Sequence, residues 1–345
     1  MNKSFLKIFL LTFTLVLALY GALFEITNPH VTGFFNSKAF RPWHINLEYA
    51  KFDRLKEVSA PIESLVVGSS TSEAFVAADV ENLFGGKAYI ISLGGADTPT
   101  RFSVIQEAMK RFKSLKRIIY VADFFEFNRA LAKPEVAFQS EMAANIPSFA
   151  KPTLAGFFKY YLSNNSFEDS FNILKRYKKD KRLQINADGT MNQSMVLSPL
   201  KAKSDPMGLL TSSQKVKLTE EILENTQTYK RSVLNNIKEL NPNVVNLYKR
   251  LAQSTKEKGL ELHFIMAPYH HDFKSELFKL PRIEKHYGSW GRFMREFDQE
   301  EHIRLVDGTT HFVASEPMSA VWRDGIHFNR ETAFAFLKQL VDKTR

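Results

Sequence analysis

The sequence predicts a three-layer α/β/α domain built on a central parallel sheet and preceded by one membrane-spanning helix. Three observations predict this fold class. Short apolar segments alternate with longer amphipathic ones, the short segments are apolar on both faces, and the N-terminus holds a long uncharged run. Strands that alternate with helices are joined by crossovers, which pair the strands in parallel and place helices on both faces of the sheet.

Five segments are predicted to be strands because each is a nearly continuous apolar run. They are residues 62–68, 88–94, 117–123, 260–268 and 302–308. Between them, apolar residues at helical spacing predict helices at about 73–84, 99–113, 242–258 and 288–299. A last helix is expected after Asn329, whose side chain can cap it.

The alternation stops between about residues 130 and 240. That segment is predicted to be a mostly helical insertion, with a long helix at about 213–239, that covers one end of the sheet and faces the substrate. The predicted organisation is therefore a membrane anchor, residues 1–26, followed by one α/β domain, residues 27–345, that carries the insertion.

The N-terminal apolar run, residues 8–24, contains no charged side chain. Together with the apolar residues before Lys7 it approaches the length of about 20 residues that spans a bilayer. Lys3 and Lys7 precede the run and Glu25 follows it, so the N-terminus is expected in the cytoplasm and the remainder on the periplasmic side of the cytoplasmic membrane. A cleaved signal peptide is the alternative, but its apolar region is normally shorter and ends in small residues, whereas Tyr20 lies near the end of this run.

The composition limits the partners and the catalytic groups that this protein could use. The formal net charge of +10 fits either an anionic partner or plain solvation, and a location outside the cytoplasm argues against nucleic acid. The sequence has no Cys, which excludes disulfides, thiolate metal sites and Cys nucleophiles and leaves Ser as the leading candidate nucleophile. No cofactor is predicted. No metal site is predicted at His270, His271 and Asp272, because neighbouring side chains in an extended segment point to opposite sides.

Four hydroxyl residues, Ser69 to Ser72, follow the first predicted strand directly. By themselves they fit a loop and a helix cap, with Thr71 and Ser72 beginning and capping the helix. In a parallel sheet, however, ligands bind at the carboxyl ends of the strands, where this cluster falls. Near the C-terminus, Asp324 and His327 stand three residues apart, a spacing that lets the carboxylate orient the imidazole, and a Ser opposite that imidazole would complete a triad.

These two segments resemble the first and last sequence blocks of the SGNH (GDSL-type) hydrolase superfamily. Gly68-Ser69-Ser70 stands where the family has Gly-Asp-Ser, and "DGIHF" matches its Asp-x-x-His. The resemblance covers the chain from about residue 60 to 345 in element order. It implies that Ser70 is the nucleophile, His327 the general base and Asp324 the residue that orients the base.

The same resemblance implies an oxyanion hole. The backbone N–H of Ser70 is one expected donor, and "SLGGAD" resembles the second block, in which Gly94 and Gly95 both fit and Gly95 is preferred. The third block usually ends in Gly-x-Asn-Asp. Here the strand ends "VADFFEFN", with Asp123 in that region and Asn128 as the nearest candidate for the missing amide. Tyr269 and His270, which follow the fourth strand, are expected to line the substrate cleft.

The sequence combines a Gly-Ser-Ser start, a membrane anchor and an Asp-Phe-Phe third block. In this combination it is similar to the anchored accessory proteins that help to O-acylate cell-envelope polymers. Examples are the D-alanine transfer protein of teichoic acid synthesis and the alginate and peptidoglycan O-acetylation proteins. That similarity implies an esterase or O-acyltransferase that forms an acyl-serine and works on an envelope polymer or acyl donor, often beside a multi-spanning membrane acyltransferase. The altered third block leaves one alternative open, a catalytically degenerate protein that binds a glycan or a partner.

Overall fold

A computed structural model gives the fold. It describes residues 3–27, 51, 54–55, 57–94, 98–128, 164–176, 185–190, 212–231, 234, 237, 239–300, 303–311, 322 and 324–343. Gly95, expected in the oxyanion hole, and most of the predicted insertion lie outside these residues.

Five strands form one sheet in which every neighbouring pair is parallel. They are β1 (Ile62–Gly68), β2 (Lys87–Ser92), β3 (Arg117–Ala122), β4 (Glu261–Met266) and β5 (Ile303–Asp307). The spatial order is β2-β1-β3-β4-β5. The direction of strand addition therefore reverses between β1 and β3, the position where open α/β sheets bind their ligands.

Helices lie on both sides of the sheet, so the predicted fold class is confirmed. The helices are α1 (Lys3–Thr27), α2 (Ala77–Phe84), α3 (Thr98–Arg111), α4 (Asn164–Arg176), α5 (Ser212–Arg231), α6 (Pro242–Glu257), α7 (His271–Phe278), α8 (Pro281–Phe297), α9 (Gly308–His311) and α10 (Arg330–Asp342).

The core forms because the strands are buried on both faces. In β1 and β3 every residue from the third position onward is buried, which is the burial that continuous apolar runs predict. Helix α2 packs on α10, and α3 packs on α6. Aromatic rings fill the space near β3 and β4, where Tyr248 stacks on Phe264 at 5.4 Å and meets Tyr120 edge-on at 5.6 Å.

Backbone contacts divide the chain into two compact units. One comprises Met1–Lys56 and Ser140–Ile185, and the other comprises Glu57–Gln139 and Asn186–Arg345, which holds the whole sheet. Inside the first unit, α1 packs on α4. Among the described residues, α1 is the one helix long and apolar enough to cross a membrane. The domain boundaries drawn from the sequence stay a prediction.

Three local expectations differ from the structure. The hydroxyl cluster forms a separate 3₁₀ helix, Ser70–Ala74, capped by Ser69 rather than by Thr71 or Ser72. Helix α8 begins at Pro281, because proline favours the first helical position, several residues before the predicted start. The segment after β4 is not extended, since His270 caps α7 through its ring nitrogen, which accepts from the Asp272 N–H at 3.1 Å.

Candidate active site

The turn after β1 presents Ser70 at the carboxyl edge of the sheet. Gly68 ends the strand, and a Cβ at this glycine would lie 2.7 Å from the Ser72 Cβ and 2.9 Å from the Val121 Cβ, so a side chain would not fit. The chain then turns directly into the 3₁₀ helix. Ser70, its first residue, is half-buried, whereas Ser69 and Thr71 on either side are buried.

Ser70, His327 and Asp324 lie in one hydrogen-bonded line. The Ser70 Oγ is 2.8 Å from the His327 Nε2, and the His327 Nδ1 is 2.7 Å from the nearer carboxylate oxygen of Asp324. An ionised carboxylate only accepts hydrogen bonds, so Nδ1 carries the proton and Nε2 is left to accept from the Ser70 hydroxyl. This arrangement suits a general base that removes the hydroxyl proton.

The Asp324 carboxylate is itself fixed by the backbone that follows it. Its Oδ1 accepts the N–H groups of Ile326 at 3.2 Å and His327 at 3.0 Å. Gly325, between Asp324 and Ile326, has a φ of +84°, a conformation that residues with a side chain rarely adopt. The carboxylate is therefore held in place before substrate arrives.

The loop that carries Asp324 and His327 is held at several points. Trp322 and Phe328 form an antiparallel bridge across it, and the His270 N–H donates to the Gly325 carbonyl at 2.9 Å. The His270 ring packs edge-on against Trp322 with centroids 5.8 Å apart. Asn329 then caps α10 by accepting from the Thr332 N–H at 3.0 Å, which confirms the cap expected from the sequence.

Besides Ser70, the structure describes two of the residues considered for the oxyanion hole, Gly94 and Asn128. Gly94 faces Ser70, since a Cβ placed on this glycine would be 3.5 Å from the Ser70 Cβ. Asn128 is buried at the end of a second 3₁₀ helix, Phe124–Phe127, and pairs with Leu240 in an isolated bridge. The donor roles of the Ser70 N–H, Gly95 and Asn128 stay predictions.

Tyr269 and His270 are both buried beside the residues of the site. Tyr269 is 5% exposed and its hydroxyl donates to the Asp123 Oδ1 at 2.9 Å, and His270 is 2% exposed under the Gly325 loop. Tyr269 therefore supports the site through its hydroxyl, and His270 supports it through its backbone N–H. A direct role for them in substrate binding stays a prediction.

A buried acidic cluster follows β3, immediately beside the nucleophile turn. Asp123 is fully buried, and burial raises its pKa to about 6, with the Glu126 charge adding to the rise and the Arg101 charge opposing it. Glu126 pairs with Arg101 at 2.5 Å and accepts the hydroxyls of Tyr120 at 2.8 Å and Tyr248 at 3.0 Å. The two carboxylates thus stay in the interior through a full set of donors.

Sequence reasoning placed Asp123 at the end of its strand but missed its contacts with the neighbours of Ser70. The Ser69 hydroxyl donates to Asp123 Oδ2, and the Thr71 hydroxyl lies 3.2 Å from the same oxygen. An Asp directly after a buried strand was the available signal. The contact itself depends on β1 and β3 being neighbours, which the sequence does not state.

No family model and no curated protein matches this chain. Among solved structures, one similar protein is from Bacteroides fragilis and is named as a proposed acylhydrolase. Its sequence is 10% identical to this one, and the two structures superpose with a TM-score of 0.39. The match covers 85% of this chain and 94% of the other chain. Another is from Streptococcus pneumoniae and is named as a proposed platelet activating factor, with 8% identity and a TM-score of 0.37, over 86% and 90%. At such TM-scores the likeness carries no conclusion about function.

Proposed function

We propose that this protein is a membrane-anchored serine esterase or O-acyltransferase that forms an acyl-serine on Ser70. The observation that carries the proposal is the hydrogen-bonded line from the Ser70 Oγ through His327 to Asp324, with separations of 2.8 Å and 2.7 Å. A solvent-accessible Ser whose hydroxyl faces an oriented imidazole is the arrangement used for nucleophilic attack on a carbonyl.

The mechanism follows from the geometry. As the Ser70 Oγ attacks the ester carbonyl carbon, its proton passes to the His327 Nε2 and a tetrahedral oxyanion forms. When that intermediate collapses, the bond from the carbonyl carbon to the leaving oxygen breaks, and His327 returns the proton to the leaving alcohol. Water or a polymer hydroxyl then repeats the sequence on the acyl-serine, which makes the protein a hydrolase or a transferase respectively. Asp324 stabilises the imidazolium in both halves.

Stabilisation of the oxyanion sets the expected rate. Donors at the position of the developing charge include the Ser70 N–H and, in this proposal, a glycine of the "SLGGAD" segment. Removal of one donor from such a hole costs about 10² to 10³ in rate. If Asn128 does not donate, the reaction is slower than in a site with three donors.

The proposed substrate is an acyl ester of a cell-envelope polysaccharide or a related acyl donor. Two features support it: the apolar helix α1, which would hold the domain at the outer face of the cytoplasmic membrane, and the resemblance of the sequence blocks to envelope O-acylation proteins. In this proposal a multi-spanning acyltransferase is the neighbour that supplies or receives the acyl group. The excess of positive charge suits an anionic polymer.

One observation favours a second candidate, a non-catalytic SGNH-like protein that binds a glycan or a partner. The third block lacks the usual amide, and the strand end carries the buried Asp123. A protein that only binds has no need for a general base within 2.8 Å of a serine hydroxyl, so the catalytic proposal takes precedence.

The experiment that tests the proposal is covalent trapping. The full chain in detergent is treated with a fluorophosphonate probe, and the labelled peptide is identified by mass spectrometry in the wild type, Ser70→Ala and His327→Ala. We expect one adduct, on Ser70, which is absent in Ser70→Ala and forms much more slowly in His327→Ala. A wild-type protein that stays unlabelled while a known serine hydrolase reacts in the same tube would overturn the catalytic proposal in favour of binding.

A further inference from the structure

The residues on either side of Ser70 are tied to a single carboxylate oxygen. Ser69 donates its hydroxyl to Asp123 Oδ2, and the Thr71 Oγ1 lies 3.2 Å from that oxygen. The Ser69 and Thr71 hydroxyl oxygens are themselves 3.0 Å apart. Because both neighbours of Ser70 are held by one group, the peptide units that flank the nucleophile cannot rotate independently.

The direction of these bonds connects the side chains to the backbone. An ionised carboxylate only accepts, so the Ser69 hydroxyl proton points at Asp123 and its lone pairs are free to accept the Thr71 N–H, at 3.2 Å. The Ser69 carbonyl accepts from Ser72 twice, from the N–H at 3.1 Å and from the hydroxyl at 2.7 Å. The first turn of the 3₁₀ helix is thereby closed around Ser70.

Asp123 is in turn held by parts of the fold outside the turn. Its second carboxylate oxygen accepts the Tyr269 hydroxyl at 2.9 Å, and its own N–H donates to Glu126 Oε1 at 3.0 Å. It follows β3, whose Val121 is paired in register with Gly68. The carboxylate is therefore fixed relative to the strand that delivers the nucleophile.

A contribution to stability does not explain this arrangement. Burial disfavours the charged form of Asp123, and the neighbouring Glu126 adds a like charge, so a neutral amide side chain, which keeps an acceptor for the hydroxyls, would cost less in the folded protein. Groups that cost stability and lie against a reactive residue are those expected where geometry serves function.

We infer that Asp123 is a positioning residue for the nucleophile: by accepting the Ser69 and Thr71 hydroxyls it fixes the direction of the Ser70 hydroxyl towards His327 and of the Ser70 N–H towards the developing oxyanion. The inference rests on the proposed function, since it concerns the rate at which Ser70 is acylated. Asp123 does not touch the reacting atoms and acts through Ser69 and Thr71.

The test is a double-mutant cycle on the rate of phosphonylation. The full chain in detergent reacts with increasing concentrations of a fluorophosphonate, which gives a maximal rate, a half-saturating concentration and a final stoichiometry. The variants are Ser69→Ala, Asp123→Ala, the double variant and Asp123→Asn. The matched control is Ser64→Ala, which removes a buried serine hydroxyl at the other end of β1.

If Asp123 acts through Ser69 and Thr71, Ser69→Ala lowers the maximal rate by about 10-fold, the effect of losing one charge-assisted hydrogen bond. Asp123→Ala, which also removes the acceptor of Thr71, lowers the maximal rate by at least as much, and the double variant loses no more than the slower single one. The half-saturating concentration and the stoichiometry stay at the wild-type values. Asp123→Asn keeps an acceptor in place and recovers a rate within about threefold of the wild type, while Ser64→Ala reacts as the wild type does.

Three results would overturn the inference. They are unchanged rates in both single variants, a loss of about 100-fold in the double variant, which indicates independent effects, and a lower stoichiometry at an unchanged rate, which indicates partial unfolding. If Asp123→Ala does not fold, Ser69→Ala and Asp123→Asn decide together, because the first removes the donor of the bond between Ser69 and Asp123 and the second keeps its acceptor. An unlabelled wild type refutes the proposed function and the positioning role together, whereas a labelled wild type with unaffected variants refutes only the latter.

Discussion

The buried carboxylate of Asp123 leads to a prediction about the free energy of unfolding, which can be tested without a substrate. Replacement by Asn preserves the shape of the side chain and leaves an acceptor for Ser69 or Tyr269, but it removes the ionised group that burial disfavours. The variant Asp123→Asn should therefore gain stability relative to the wild type as the pH rises. This is the opposite of the effect expected when a salt-bridged aspartate, whose pKa is lowered by folding, is replaced.

The sign and size of this change in stability follow from the pKa of Asp123 in the unfolded chain and in the folded protein. The pKa of an unfolded aspartate is about 3.9, and burial raises that of Asp123 to about 6. Between these values the folded protein binds the proton more readily than the unfolded chain, so the free energy of unfolding falls as the pH rises, and the cost is complete above the higher value. The difference between the two pKa values corresponds to about 3 kcal/mol in the free energy of unfolding, and about 2 kcal/mol of this is lost between pH 4.5 and pH 7.5.

The assay is thermal unfolding of the wild type and the variant in the same detergent at the two pH values. About 2 kcal/mol corresponds to a change of about 4 °C in a domain of this size, so the Tm of Asp123→Asn minus that of the wild type should rise by about 4 °C from pH 4.5 to pH 7.5. Ser64→Ala, which changes no titrating group, should give the same Tm difference at both pH values. A pH-independent difference for Asp123→Asn would show that the buried carboxylate is not the source of the cost.

Three further predictions concern the triad, the turn and the location. Asp324→Asn should slow phosphonylation by at least about 100-fold with the fold retained, because the amide no longer enforces the Nδ1-protonated ring, and a rate close to the wild type would remove Asp324 from the mechanism. Gly68→Ala should lower the Tm by several degrees, since its Cβ would meet the Ser72 Cβ at 2.7 Å, and an unchanged melting curve would contradict the close packing of the turn. The chain has no Cys, so a single introduced Cys reports its own location. Lys279→Cys, at an exposed position of the α/β domain, should react with a membrane-impermeant maleimide in cells whose outer barrier is permeabilised. Ser4→Cys, at the N-terminal end of α1, should react only after lysis. The reverse pattern would contradict the proposed orientation.

The sequence predicted the strands closely because each is a buried parallel strand. The predicted segment 62–68 agrees with β1 residue for residue, and the other four agree to within two residues at each end. A strand covered on both faces must be apolar throughout, so its limits coincide with the limits of the apolar run. Helices were predicted less accurately, because proline at the first helical position begins α8 at Pro281 and the His270 cap begins α7, which was not predicted, and neither signal adds apolar periodicity.

The candidate triad was also predictable, since each of its parts is encoded locally. Ser70 follows a strand, Asp324 and His327 share one short loop, and the carboxyl ends of parallel strands lie at one edge of the sheet. Their separations could not be predicted, because they depend on how the C-terminal loop packs. The bridge from Trp322 to Phe328 and the contacts of His270 set that packing.

By itself, the sequence determined the α/β class, the apolar helix and the residues that stand at the strand ends, because hydrophobic periodicity and short motifs are local properties of a chain. The tertiary structure decided that β1 and β3 are neighbours, and only that adjacency places Asp123 against Ser69 and Thr71. Strand order is set by the packing of the whole sheet and leaves no local mark in the sequence. For that physical reason the residue inferred to position the nucleophile became recognisable only in the folded protein.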